Sequence, residues 1–244
     1  MMTHLAEELV LLSVNVETSK IPSSVATILP FAIAGAVLME LAVRGVTEEQ
    51  CKKIFFRQQV SKDDVLFEEV RLAILKEKKE KSINHWVRVL GYVVQRNKMV
   101  YQLLDRYVEK GVLNKEQVPY LWVFKQTFYK ASDRNGLLME KRRQVRESIM
   151  SNDELSDRQI YLISLIEVSK LIPSLFSKEE LKMAQARVQE FKSHPVYKKA
   201  IFSSSASSND DGMAGILAAV YISGESNSGS DSGFDGGDGG GGGD

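Results

Sequence analysis

Cysteine is nearly missing from this chain. Cys51 is the only one in 244 residues, so no internal disulfide framework exists, and a reducing compartment is expected. Histidine is almost as scarce. His4, His85 and His194 are far apart and fall in no metal-ligand spacing. No glycine-rich phosphate loop follows a strand-like run, and no nucleophile elbow is present. Adjacent acid pairs such as Glu68–Glu69 and Glu179–Glu180 point away from each other on a helix, so neither forms a carboxylate dyad. These absences argue against an enzyme, and no cofactor or metal is expected. The N-terminus carries no basic segment followed by an apolar run and a small-residue cleavage site, so no secretory signal is read there. A cytoplasmic location is expected.

Net charge is also missing, but only in sum: 32 Lys and Arg oppose 32 Asp and Glu. No Lys or Arg follows Lys199, whereas Asp210, Asp211, Glu225, Asp231, Asp235, Asp238 and Asp244 do. The body thus holds seven more basic than acidic side chains, and the remainder is acidic by the same number. A mildly basic body suits contact with phosphates or anionic lipid.

What is abundant is apolar residues, and they concentrate in VATILPFAIAGAVLMELAV, residues 25–43, where Glu40 is the only charge. A helix apolar on all sides is a membrane span or the centre of a core. Pro30 near one end and Glu40, Arg44, Glu48 and Glu49 at the other favour a buried central helix over residues 30–44, with Pro30 in the first turn and Gly45 ending it. Ala32, Ala34, Gly35 and Ala36 allow neighbouring helices to approach closely.

Around this element the spacing predicts further helices over 5–14 (capped by Thr3), 65–75, 82 onward with Trp86, Val87, Leu90 and Val94 inward, 98–110, 137–149, 157–171 and 178–191. Residues 53–60 (KIFFRQQV) read as a strand. Residues 112–129 (VLNKEQVPYLWVFKQTFY) read as a β-hairpin, in which Tyr120, Trp122 and Phe124 alternate along one face. The fold class is mostly α-helical. A single domain is expected over 1–200, a linker over 201–212, a short apolar helix over 213–222, and a disordered acidic Gly/Ser tail over 223–244.

Two constellations stand out. One is basic: Arg88, Arg96 and Lys98, then Lys141, Arg142, Arg143 and Arg146. Arg142 and Arg146 are one turn apart and share a helix face. Such sets hold phosphates when they converge, and otherwise form a solvated face. The other is aromatic: Tyr120, Trp122, Phe124, Phe128 and Tyr129, either core or an exposed interface.

The blocks LAEELVLL (5–12), AGAVLMELAVRG (34–45), INHWVRVLG (83–91) and VEKGVL (108–113), in this order and spacing, make the sequence similar to the Golgi phosphoprotein 3 (GPP34) family over about residues 5–191. The resemblance implies one mostly helical domain with a buried central helix and a projecting hairpin. It implies a non-enzymatic peripheral membrane adaptor, since eukaryotic members bind phosphatidylinositol 4-phosphate and hold the tails of glycosyltransferases. Where the family's lipid pocket has a tryptophan and an arginine, this chain has Val25 and Ala34. The helix supplying its other basic residues here offers Val100 and Gln102, with Arg96 and Lys98 close by. The long basic arm of the Golgi proteins has no counterpart, which resembles a prokaryotic-type member.

The expected partners are therefore an anionic lipid or phosphoinositide headgroup at a membrane surface, and protein clients. The expected contact residues are Arg88, Arg96, Lys98 and Lys125 for charge, with Trp122, Phe124 and Phe128 for insertion. The specific headgroup pocket is expected to be largely missing. A winged-helix-like nucleic-acid-binding module and a protein–protein scaffold are the alternatives, and nucleic acid ranks behind lipid because no dense basic recognition helix is present.

Overall fold

The computed structural model describes residues 4–44, 47–50, 53–56, 65–76, 81–120, 124–132, 136–191, 193–194 and 213–228. Everything in it is arranged around α3 (Leu29–Val43), whose residues from Leu29 to Leu41 are all buried. Pro30 lies in the first turn, where its missing N–H breaks no helical bond. Against α3 pack α1 (Leu5–Leu12), α5 (Ile83–Arg96), α8 (Asp157–Val168) and the last helix, α11 (Met213–Ser228). The short α2 (Ser23–Ala26) leads into it, and α4 (Val65–Lys76) touches its far end. The remaining helices are α6 (Met99–Glu109), α7 (Leu137–Met150), α9 (Ile172–Leu175) and α10 (Lys178–Phe191). No described helix is long and apolar enough to cross a membrane.

The chain is thus mostly α-helical, with two antiparallel hairpins. One pairs β1 (Thr47–Gln50) with β2 (Lys53–Phe56). Residues 53–56 form the strand expected there, while 57–60 lie outside the described residues. Its partner strand, Thr47–Gln50, was not expected from the sequence. The other pairs β3 (Leu113–Tyr120) with β4 (Phe124–Ala131), Leu113 facing Ala131 and Tyr120 facing Phe124. Tyr120 and Phe124 are therefore a cross-strand pair rather than neighbours on one strand, and Trp122 is outside the described residues.

The one charge in the apolar stretch has a structural task. Thr3 lies outside the described residues, and His4 holds the N-cap position of α1 without a capping side-chain bond. Glu40 caps that helix from α3 instead: its Oε2 accepts the Leu5 backbone N–H at 2.8 Å, and its Oε1 lies 3.2 Å from His4 Nδ1 and pairs with Arg44. Glu40 is only 8% exposed. Burial pushes its pKa up, but the hydrogen bonds from His4 and Leu5 and the Arg44 charge outweigh this and hold the carboxyl below its ordinary value. Glu8 is a second buried acid, held between Lys141 Nζ at 2.9 Å and an Arg158 nitrogen at 2.8 Å. It ties α1 to α7 and α8.

The small residues of α3 perform as their size suggests. A Cβ on Gly35 would meet Val220 at 2.9 Å and Ile216 at 3.0 Å, so α11 lies directly on this position. Gly224, nearer the end of α11, abuts Ile28 just before α3 begins. Residue numbers rise along α11 as they fall along α3, so the two helices are antiparallel. This helix continues to Ser228, six residues past the end expected at Ile222, because Ser223 and Gly224 are buried against the body.

Candidate functional site

Helix α5 divides cleanly. Trp86, Val87, Leu90, Gly91 and Val94 face the core, and Arg88, Tyr92 and Arg96 face solvent. Ser82 caps its start by accepting the His85 N–H at 3.3 Å. Arg88 and Arg96 are eight residues apart, about 12 Å along the axis and about 80° around it, with Tyr92 between them. Gly91 lets α5 close on α3: a Cβ there would lie 2.1 Å from the Phe31 ring. The same approach sets Tyr92 edge-on to Phe31, centroids 5.5 Å apart, while 47% of Tyr92 remains exposed.

After α5 the chain reverses at Lys98, which takes a left-handed backbone with φ 52° at the start of α6. Its side chain is exposed, and Tyr101, one turn into α6, is 50% exposed. Arg88, Arg96 and Lys98 are thus spread along the exposed side of α5 and its turn into α6, with two exposed tyrosines. Among the described residues, none of these three cations, nor Lys125, has an acid within ion-pair distance.

At the near end of this face a cavity of about 430 Å³ opens between α5 and α11, lined by Lys81, Ser82, His85, Arg88, Ile222 and Ser223 among others. Periodicity gave no reason to single out Lys81, which lies just before the Ser82 cap, or His85 in the first turn of α5.

Lys125 belongs to the β3–β4 hairpin. It pairs with Pro119, six residues above the base of the hairpin at Leu113, so it stands about 20 Å out along the strand. The hairpin is anchored at its base: the Tyr129 hydroxyl donates to Asp105 at 3.0 Å, Lys115 Nζ reaches the same carboxylate at 2.8 Å, and the Tyr129 N–H donates to the Ser19 carbonyl. Burial, then the Asp105 contact, pushes the Tyr129 phenol upward. Phe128 is half-buried, with Lys20 Nζ 4.5 Å over its ring, so it is a packed side chain at the hairpin base rather than a free tip. Trp122 and the Phe124 side chain lie outside the described residues.

The second basic group is largely spoken for. Lys141 pairs with Glu8, Arg143 with Glu140 and Glu147, and Arg146 with Glu180. Arg142 is the exception. It reaches backbone carbonyls, those of Val14 at 3.3 Å and of Ser174.

Val25 and Ala34, where related proteins are expected to carry headgroup-binding side chains, are buried in the core. Among the described residues, no cluster of His, Cys, Asp and Glu could hold a metal ion. No curated protein matches the chain. A family model described as Golgi phosphoprotein 3 (GPP34) matches residues 5–204, and the helical architecture around α3 with its β3–β4 hairpin agrees with that match. The chain belongs to the Golgi phosphoprotein 3 (GPP34) family.

Proposed function

We propose that this protein is a non-enzymatic adaptor that docks peripherally on anionic membranes from the cytoplasm and holds protein clients there. The supporting observation is the exposed side of α5 and its turn into α6: Arg88, Arg96 and Lys98 are exposed, none is paired with a described acid, and Tyr92 and Tyr101 are exposed as well. A basic side chain near an anionic surface contributes roughly 1 kcal/mol, so these three give about 3 kcal/mol of attraction, with Lys81 adding to it. Tyrosine suits the interfacial zone, where the ring is in an apolar layer and the hydroxyl in water. The stretch that carries Trp122, Phe124 and Lys125 in the sequence is the candidate insertion element.

With Val25 and Ala34 in the core, this surface reads charge density instead of enclosing one headgroup. The acidic residues after α11 compete for the same cations and weaken docking. Nucleic acid is disfavoured because α6, which precedes the wing-like hairpin, carries Asp105, Arg106 and Glu109, a net negative helix rather than a recognition helix.

Vesicle co-sedimentation tests this directly. Neutral vesicles, phosphatidylserine vesicles, and vesicles carrying phosphatidylinositol 4-phosphate at matched total charge are compared, with duplex DNA at the same ionic strength. Binding is expected to follow total charge, to fall with salt as exposed charges are screened beyond about 10 Å at 0.1 M, and to strengthen when residues 229–244 are deleted. A sharp preference for phosphatidylinositol 4-phosphate at matched charge overturns the charge-density reading. Failure to bind any anionic vesicle overturns the adaptor reading.

A further inference from the structure

A cavity of about 570 Å³ opens between α7, the turn around α9 and the loop after α1. Its lining includes Arg142, Arg146, Asn15, Ser177, Met139 and Glu17. The volume lies in the range of small-molecule sites.

Arg142 is half-buried. Each of its terminal nitrogens donates to one carbonyl oxygen, Val14 and Ser174, while a guanidinium has five N–H donors. Nε, without a hydrogen-bond partner among the described residues, is not among the buried unpartnered atoms, so solvent reaches it. Asn15 uses its amide oxygen to accept from the Thr18 N–H and hydroxyl, which leaves its NH2 group uncommitted. Ser177 is committed to the start of α10: its Oγ accepts the Glu180 N–H at 3.4 Å and its hydroxyl lies in hydrogen-bond contact with the Glu179 and Glu180 carboxylates.

Charge points the same way. Arg146, one turn from Arg142, is matched by Glu180, and Arg143 by Glu140 and Glu147, but among the described residues no carboxylate lies within ion-pair distance of Arg142. Burial and the Arg146 charge both push the Arg142 pKa below its usual range, with Glu17 acting in the opposite sense. A partly desolvated cation without a counter-ion is costly unless something supplies one.

We propose that this cavity binds a small phosphate-bearing anion, with Arg142 as its principal cation and Asn15 as a further donor. A guanidinium without a described carboxylate partner, with the neutralised Arg146 one helical turn away, suits a multiply charged group better than a monoanion. The proposal does not rest on the membrane reading, because Arg88, Arg96 and Lys98 take no part in the cavity.

The test is an amide chemical-shift titration of the full chain at low ionic strength. The probes are inorganic phosphate, glycerol 3-phosphate, dihexanoyl phosphatidic acid and acetate. Saturable shifts are expected around residues 15–17, 139–146 and 173–177 with the three phosphates. The tightest of them identifies the source as the free ion, a soluble monoester or a lipid. Arg142→Gln should weaken binding roughly ten- to hundred-fold, the loss of a charge-assisted contact.

Two exposed rim variants keep the test open if Arg142→Gln does not fold. Glu17→Gln should tighten binding and Met139→Glu should weaken it, each roughly two- to five-fold. Shifts that do not saturate, binding of acetate as tight as phosphate, or rim variants without effect overturn the proposal. Arg88→Glu should leave the phosphate shifts unchanged, which separates this site from the membrane-docking face.

Discussion

Replacing Glu40 by alanine should destabilise the protein in a pH-dependent manner. The substitution removes the only side-chain acceptor for the Leu5 N–H, the pair with Arg44 and the contact with His4. A helix N-cap contributes about 1 kcal/mol, and a hydrogen bond to a charged group about 1.5–3 kcal/mol. Arg44 is exposed enough to regain water, so no buried cation is stranded, and the loss should total about 2–4 kcal/mol. For a chain of this size that lowers Tm by the order of 10 °C.

The Glu40 carboxyl is held below its ordinary value of 4.5 in the folded protein. A depressed folded-state pKa gives stability that is fully present above the unfolded value and disappears as the pH falls through the folded one. The gap between wild type and Glu40→Ala should therefore be constant from pH 7 to pH 5 and shrink below about pH 4.5. Thermal melts from pH 7 to pH 3 measure it. A gap under 0.5 kcal/mol at neutral pH, or one of the same size at pH 3 as at pH 7, refutes the reasoning.

Gly91→Ala would place a methyl group 2.1 Å from the Phe31 ring, which is fully buried and has no room to swing away; overpacking should cost about 1–3 kcal/mol, read by urea unfolding. Ile216→Ala removes a fully buried side chain of α11 and should cost about 2–5 kcal/mol; a loss under 0.5 kcal/mol would mean that this helix contributes little to the core. The double variant Arg88→Glu, Arg96→Glu reverses two exposed, unpaired charges. It should weaken binding to phosphatidylserine vesicles by roughly two to three orders of magnitude while Tm stays unchanged.

The central helix was legible because its signal is self-contained: an apolar run with proline at one end and charges at the other. The start of α5 was legible through Ser82, and the end of α6 through Gly111, whose φ of 68° is the left-handed conformation that glycine tolerates. The β1 strand was not legible. TEEQ has no strand-like pattern, and its conformation comes from pairing with KIFF. The full length of α11 was hidden for a related reason, since SGESNS has poor helix propensity and is held by the burial of Ser223 and Gly224. In the candidate site, Arg88, Arg96 and Lys98 could be picked out, because exposed basic residues opposite an apolar helix face follow from periodicity alone. That Lys141 and Arg146 would be paired and Arg142 left without a described acid could not be read. Their partners Glu8 and Glu180 lie 133 and 34 residues away in the chain, and no local pattern encodes them.

The antiparallel seating of α11 on α3 also sets a timetable for synthesis. Residues 29–43 form the most apolar part of the chain, yet one of their main covers is residues 213–228, made about 170 residues later. At 5–20 residues per second the ribosome needs roughly 10–35 s to bridge that gap. Through that interval Gly35 and its neighbours face solvent or a chaperone instead of Val220 and Ile216. The nascent chain is then a sticky intermediate whose last step is the docking of its final helix, so premature termination anywhere before residue 213 releases a product with its core open.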